Sequence, residues 1–277
     1  MLATMFDRLR KLGDAVGPLR ASAQDLGRRE LVPDYSPHDA DDVVAMTSHL
    51  DRLPAQRGVG GTLWGDTVLV VANAVPIRTT RIGGPPLADE APSGTDRRLT
   101  YRIHDRTGQV VATVMDPDPP SNWFRNPAAS FLARAFDVVD RCGAVAFRME
   151  RATHLASPDW IVTSLAGDEL GALVTTRMVD HYRMSLRLGA MSACSLTSDC
   201  LLPRRFTLTS DHLPSGPAIG AIVVPDLGHT TMRTLNGRNA VLAIEHDVDL
   251  ALHRLMVAAT VAVATAVDDF TAAQRFL

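Results

Sequence analysis

With 277 residues, 46% of them hydrophobic and 21% charged, the chain carries ample apolar material for a large core and reads as one large globular domain or two small ones. A formal net charge of −3 and a pI near 6.3 exclude the broad basic field that nucleic-acid binders carry. Lys11 is the only lysine among 28 basic residues, a bias expected of a GC-rich bacterial genome, and Cys142, Cys194 and Cys200 form an odd set without metal-ligand spacing, expected to be mostly small buried residues in a reducing compartment.

Residues 1–30 read as an amphipathic helix. Leu2, Met5, Phe6, Leu9 and Leu12 recur at helical spacing with Arg8, Arg10 and Lys11 between them. Such a helix docks on its own domain or on a partner, or lies on a membrane surface. It contains no apolar core of the signal-peptide kind, so the expected location is cytoplasmic, with peripheral membrane association open. Residues 31–61 hold Pro33, Pro37, Pro54, Gly58, Gly60 and Gly61 and read as a connector containing one short helix over residues 39–53. A body running from residue 62 to 277 would follow, interrupted by a mobile loop at residues 83–96.

From Thr62 the signal changes to strands. TLWGDTVLVVANAV is rich in β-branched residues. A pattern then recurs in YRIHDRTGQVVATV (101–114), FDVVDRCGAVAFRM (136–149), WIVTSLAGDELGALV (160–174) and FTLTSDHLPSGPAIGAIVV (206–224). Each unit opens on an aromatic residue with an aliphatic one two positions on, turns on Asp, Ser or Gly, and continues as a second apolar strand. In the first two the turn is D-x-x-G: Asp bonds its own downstream backbone and Gly supplies positive φ. These are hairpins, and MVDHYRMSLRLGAMSA (178–193) adds another strand pair. The unequal spacing excludes a solenoid.

The last segment is the most informative. A short apolar strand (240–244) leads through Glu245, Asp247 and Asp249 into a helix in which Leu255 to Val267 leave no polar stripe. Thirteen residues are too few to span a bilayer, which takes about 20, so this helix belongs inside protein. Many hairpins followed by one apolar helix predict a mainly β fold: a closed antiparallel barrel around a buried C-terminal helix, with an N-terminal helical extension.

The F/Y-x-I/V-x-D-x-x-G hairpins at 101–108 and 136–143, the W-x-V unit at Trp160 and the terminal AIEHDVDLALHRLMVAATVAVATAVDDF together resemble the tubby C-terminal-like fold, shared by tubby-like proteins, phospholipid scramblases and plant LURP-one-related proteins. The resemblance covers about residues 62–270 and implies the same barrel around a central helix. The chain lacks the cysteine-rich acylation cluster and the proline-rich N-terminal region of scramblases. A calcium segment would fall at Glu245, Asp247 and Asp249, but these lack the turn Gly and bidentate Glu of an EF-hand loop and are better suited to a helix N-terminus.

Enzyme signatures are scarce. The chain holds no G-x-S-x-G, P-loop, H-E-x-x-H or C-x-x-C. GVGG (58–61) lacks the spacing and Lys of a phosphate loop. His104, Asp105 and Arg106 read as a hairpin turn, and Asp116 and Asp118 as a Pro-rich loop. His181 with Asp180, and His229 with Asp226, would matter only if a barrel mouth brought them together. No cofactor or metal is expected. The basic clusters are Arg8, Arg10 and Lys11; Arg97 and Arg98; and Arg204 and Arg205. Near an anionic surface each such residue is worth about 1 kcal/mol, enough in number for reversible association. The expected function is therefore a non-enzymatic binding module that meets anionic phospholipid head groups, or a protein partner through residues 1–30. The alternatives are an assembly protein docking through that helix, and an enzyme with a site at the barrel mouth.

Overall fold

The period-two alternation of apolar residues becomes twelve strands once each can turn its apolar face to a common interior. The computed structural model describes residues 40–56, 60–73, 99–117, 134–151, 159–177, 182–198, 204–211, 216–225 and 239–274. The helix expected over residues 1–30 and the loop at 83–96 lie outside them. The strands are β1 (Val68–Asn73), β2 (Leu99–Asp105), β3 (Val110–Met115), β4 (Arg134–Asp140), β5 (Val145–Arg151) and β6 (Trp160–Thr163). They continue as β7 (Glu169–Arg177), β8 (Tyr182–Leu188), β9 (Met191–Thr197), β10 (Arg205–Ser210), β11 (Gly220–Val223) and β12 (Ala240–Ile244). Each pairs antiparallel with its neighbours in sequence, and β12 returns to β1, so the sheet closes into an up-and-down barrel without a free edge.

The hairpins expected at 101–114, 136–149, 160–174 and 206–224 are β2–β3, β4–β5, β6–β7 and β10–β11, and residues 182–197 form β8–β9. The turn chemistry follows the sequence closely. Gly108, Gly143 and Gly167 have φ of 87°, 81° and 89°, and each hairpin has a register shift just before its turn. This is a tight turn closed by a glycine bulge. Asp105 Oδ1 accepts from the amides of Thr107 (2.8 Å) and Gln109 (3.0 Å), and Asp140 Oδ1 from those of Cys142 (2.8 Å) and Ala144 (2.9 Å). In the third unit Ser164 takes the place of Asp, its Oγ accepting from Asp168 N at 3.1 Å.

Two helices complete the described structure: α1 (Ala40–Thr47) and α2 (Leu250–Gln274). Inward side chains such as Tyr101, Phe136, Phe147, Leu173, Leu196 and Leu242 form one core with Leu255 to Ala264 of α2. The buried central helix is thus present as expected. Asp249 caps it, its Oδ1 accepting from Leu252 N at 2.7 Å. The two hydroxyls in its buried stretch are satisfied within the helix, Thr260 by Met256 O and Thr265 by Val261 O, both at 2.8 Å. Among the described residues no helix is long and apolar enough to cross a membrane.

Two expectations need correction. The strand signal read from Thr62 begins only at Val68, because residues 60–67 form a turn around Asp66. The helix expected over 39–53 ends at Thr47. There Thr47 and Ser48 turn their hydroxyls onto the carbonyls of Val44 (3.1 Å) and Ala45 (2.7 Å), competing with the helical pattern. The described part of the expected connector is also packed. Val43 and Met46 of α1 are fully buried against Val68, Val70, Ala72 and Val241 on the outer wall, a second small core. An eight-residue helix is too short to persist alone, so α1 owes its order to this wall.

The barrel ends differ. All hairpin turns, the exit of β12 and the N-terminus of α2 lie at one end, the hairpin end. The other strand termini, among them Asn73, Leu99, Met115, Arg134, Arg151, Trp160, Arg177, Tyr182, Thr197, Arg205, Val223 and Ala240, lie at the other, the loop end.

Candidate functional site

The loop end is where arginine collects. Arg134, Arg151, Arg177, Arg183, Arg204 and Arg205 all fall at or next to the strand ends there, with Asp116, Glu150 and Asp159 the nearby acids among the described residues. The hairpin end carries Asp105, Asp140, Asp168, Glu169, Asp211, Glu245, Asp247 and Asp249, which outnumber Arg106, Arg141, Arg187 and Arg254 there. This polarity matches the enclosed helix. The N-terminus of α2, with its partial positive charge, is at the acidic end, and its C-terminal half runs toward the basic one.

Strand parity places two of these arginines on the inner face. Arg134 lies two residues before inward Phe136 and Arg151 two after inward Met149, and the two arginines are directly opposite one another in the β4–β5 ladder. Each lies over an aromatic ring: Arg134 5.9 Å from the Phe136 centroid, Arg151 5.1 Å from that of Trp160. The rings stack on each other at 5.6 Å. Arginine suits this position because its planar, weakly hydrated guanidinium accepts an aromatic face. Sequence reading missed both. Extending the period-two count of the apolar face by one step at each end of the hairpin would have found them.

Of the residues expected to meet anionic head groups, Arg8, Arg10, Lys11, Arg97 and Arg98 lie outside the described residues. Arg204 is exposed and Arg205 half-buried. Neighbours in sequence, they face opposite sides of the wall by strand alternation. Arg205 is engaged within the chain: its Nη1 is 2.7 Å from Asp51 Oδ2. Beside it Arg52 pairs with Glu245. These four residues, with Leu50, Ala221 and Ala243, line a groove of about 280 Å³ on the outer wall. Thr197, Ser198, Arg205 and Thr207 line a second of about 230 Å³. The acid–base pairs join the segment after α1 to the barrel, with Arg205 toward the loop end and Glu245 toward the hairpin end.

The hairpin end is closed by residues 60–66. Asp66, almost fully buried, accepts from Gly61 N (2.9 Å), Thr62 N (3.1 Å) and Gln56 Nε2 (3.0 Å). Burial pushes its carboxyl above the usual range, the hydrogen bonds pull it back, and nearby Asp105 adds to the rise. Trp64 meets the edge of His253 with centroids 5.6 Å apart, and the Arg254 guanidinium lies 5.6 Å from the same ring. Burial lowers the His253 imidazole to about 4, so it is neutral at pH 7.

Other candidate sets resolve into structure. His104 and Asp105 belong to the β2–β3 turn, where His104 Nδ1 is 3.0 Å from Gly108 O, and Arg106 Nη2 donates to Pro54 O. Asp211 accepts from the hydroxyls of Ser192 and Ser195 on neighbouring β9. Cys194 is buried and its thiol pushed up to about 12 by burial and by Asp211, whereas Cys142 is exposed. His181, Asp180, His229, Asp226, Asp118 and Cys200 lie outside the described residues. Among the described residues no group of three or more His, Cys, Asp or Glu is placed to hold a metal ion. Compared with protein-family models, with curated proteins and with solved structures, the chain matches none.

Proposed function

We propose that the protein is a non-enzymatic binding module of the tubby C-terminal-like kind, which associates peripherally with anionic phospholipid head groups through the arginine-bearing loop end. The observation that carries this reading is the axial charge polarity among the described residues: an excess of arginine at the strand ends on one side and an excess of carboxylates on the other. A barrel so polarised turns its basic end toward a negative surface, and each arginine brought close adds about 1 kcal/mol. The occupied interior supports a surface function, since α2 and the wall side chains fill it. The closed twelve-stranded wall around a C-terminal apolar helix supports the family resemblance. A protein partner docked through residues 1–30 is the second reading, and rests on their basic amphipathic pattern.

The test is flotation of the full-length protein with phosphatidylcholine vesicles, with and without phosphatidylserine, at low salt. Binding to the anionic vesicles alone is expected, weakened by added salt and by the exposed pair Arg183→Glu and Arg204→Glu. Equal recovery with both vesicle types, or none with either, would sink the lipid reading.

A further inference from the structure

We propose that residues 40–52 are an autoinhibitory cover, which holds Arg205 in an internal ion pair and releases it to an anionic surface when the cover lifts. This rests on the lipid reading above and adds its regulation.

Residues 54–56 stay fixed to the barrel: Arg106 Nη2 donates to Pro54 O, Thr67 Oγ1 to Ala55 O (3.2 Å), and Gln56 Nε2 to Gly65 O (2.9 Å) and Asp66 Oδ1 (3.0 Å). They are the hinge, and the cover is the segment before them. It is attached by few contacts among the described residues. Val43 and Met46 are its buried apolar anchors on the outer wall. Beyond them, Asp51 occupies Arg205 at 2.7 Å and Arg52 occupies Glu245. Both cover residues of these pairs are largely exposed, 78% for the Asp51 side chain and 73% for that of Arg52. Exposed pairs of this kind are weak and screened by salt. Helix α1 has eight residues and cannot hold itself together away from the wall. The cover is thus built as a local unit that can open while the barrel stays closed.

Opening changes what the wall presents. Arg205 loses its carboxylate partner and joins exposed Arg183 on the outer face near the loop end. The strip of Val68, Val70, Ala72 and Val241 loses its apolar cover. Cations beside an apolar strip are what an anionic membrane interface takes up. In the closed state Asp51 sits where a lipid phosphate would, and the two compete for one guanidinium.

Two substitutions lie on the cover and leave the wall native. Met46→Ser removes an anchor, and Asp51→Asn removes the competing charge. Hydrogen exchange of the full-length variants reads opening directly. Met46→Ser should speed exchange over residues 43–50 and leave β4–β8 unchanged. With vesicles of phosphatidylcholine and phosphatidylserine, each variant should bind about five-fold more tightly than wild type, one arginine's worth. Arg205→Gln added to Asp51→Asn should cancel the gain. Exchange that Met46→Ser does not speed overturns the cover. So does faster exchange with unchanged affinity in a protein that binds vesicles. If the cover opens and neither wild type nor variants bind either vesicle, the lipid reading fails, and the proposed regulation with it.

Discussion

Gly220 shows how little room the wall leaves for single atoms. A Cβ there would lie 2.5 Å from the Ala243 carbonyl oxygen and 3.2 Å from Met256 Cε. The carbonyl belongs to the β11–β12 ladder and cannot step aside. Gly220→Ala should therefore cost about 1–3 kcal/mol, read as a lower urea midpoint with an unchanged slope. Gly143 is the contrast: nothing lies within 4 Å and only its φ of 81° demands glycine, so Gly143→Asn should be nearly neutral. His253 makes the pH prediction. Its folded pKa, about 4, lies below the ordinary imidazole value of 6.5, so below pH 6.5 the unfolded chain binds a proton that the folded chain refuses. Its contribution is fully present above pH 6.5 and is lost as pH falls toward 4, at most roughly 3 kcal/mol in all. Asp66, raised by burial, acts with the opposite sign. Comparison of wild type with His253→Phe isolates the histidine: the variant should show a flatter fall in unfolding midpoint between pH 6.5 and 4, and an identical fall would place that pH dependence elsewhere.

At the scale of elements, α2 is both core and organiser. Val257, Val261 and Ala264 are wholly buried in it. Val261→Asp would bury a charge without a partner at a cost of several kcal/mol, against a total stability of roughly 5–15. Loss of soluble expression is expected; a soluble variant with a cooperative transition would remove the helix from the core. The hairpins are held more locally. In three of them the residue opening the turn ties the backbone beyond it, Asp105 and Asp140 through Oδ1 and Ser164 through Oγ. That is why unrelated strand sequences close in the same way.

At the scale of the molecule, the barrel is a closed unit to which other segments attach. The described attachment of the N-terminal region runs through Val43, Met46, Asp51 and Arg52, all beyond residue 30. Removal of residues 1–30 should therefore leave the unfolding midpoint nearly unchanged. It should also reduce vesicle binding, since Leu2, Phe6 and Leu9 are expected to bury their surface only on docking. A large fall in midpoint would instead make that segment part of the core. The axial polarity belongs to this scale too. No segment is strongly basic, and the net charge of −3 conceals the asymmetry. It exists because alternate strands run in opposite directions, bringing Arg134, Arg151 and Arg204 from distant stretches to one end.

What the sequence determined by itself is what local chemistry controls. The D-x-x-G turns, the period-two strands and the apolar run of the last helix each depend on residues a few positions apart, so the hairpins and the central helix could be read in advance. Only the tertiary structure decided what depends on closure. The β1–β12 pairing joins residues far apart in the chain, and the inward face of Arg134 and Arg151 follows from which side of the sheet became interior. The pairing of Arg205 with Asp51 follows from where α1 came to rest. A charge cluster in sequence is only a list of ends; whether an arginine meets solvent, an aromatic ring or a carboxylate is settled when the wall closes and its segments pack.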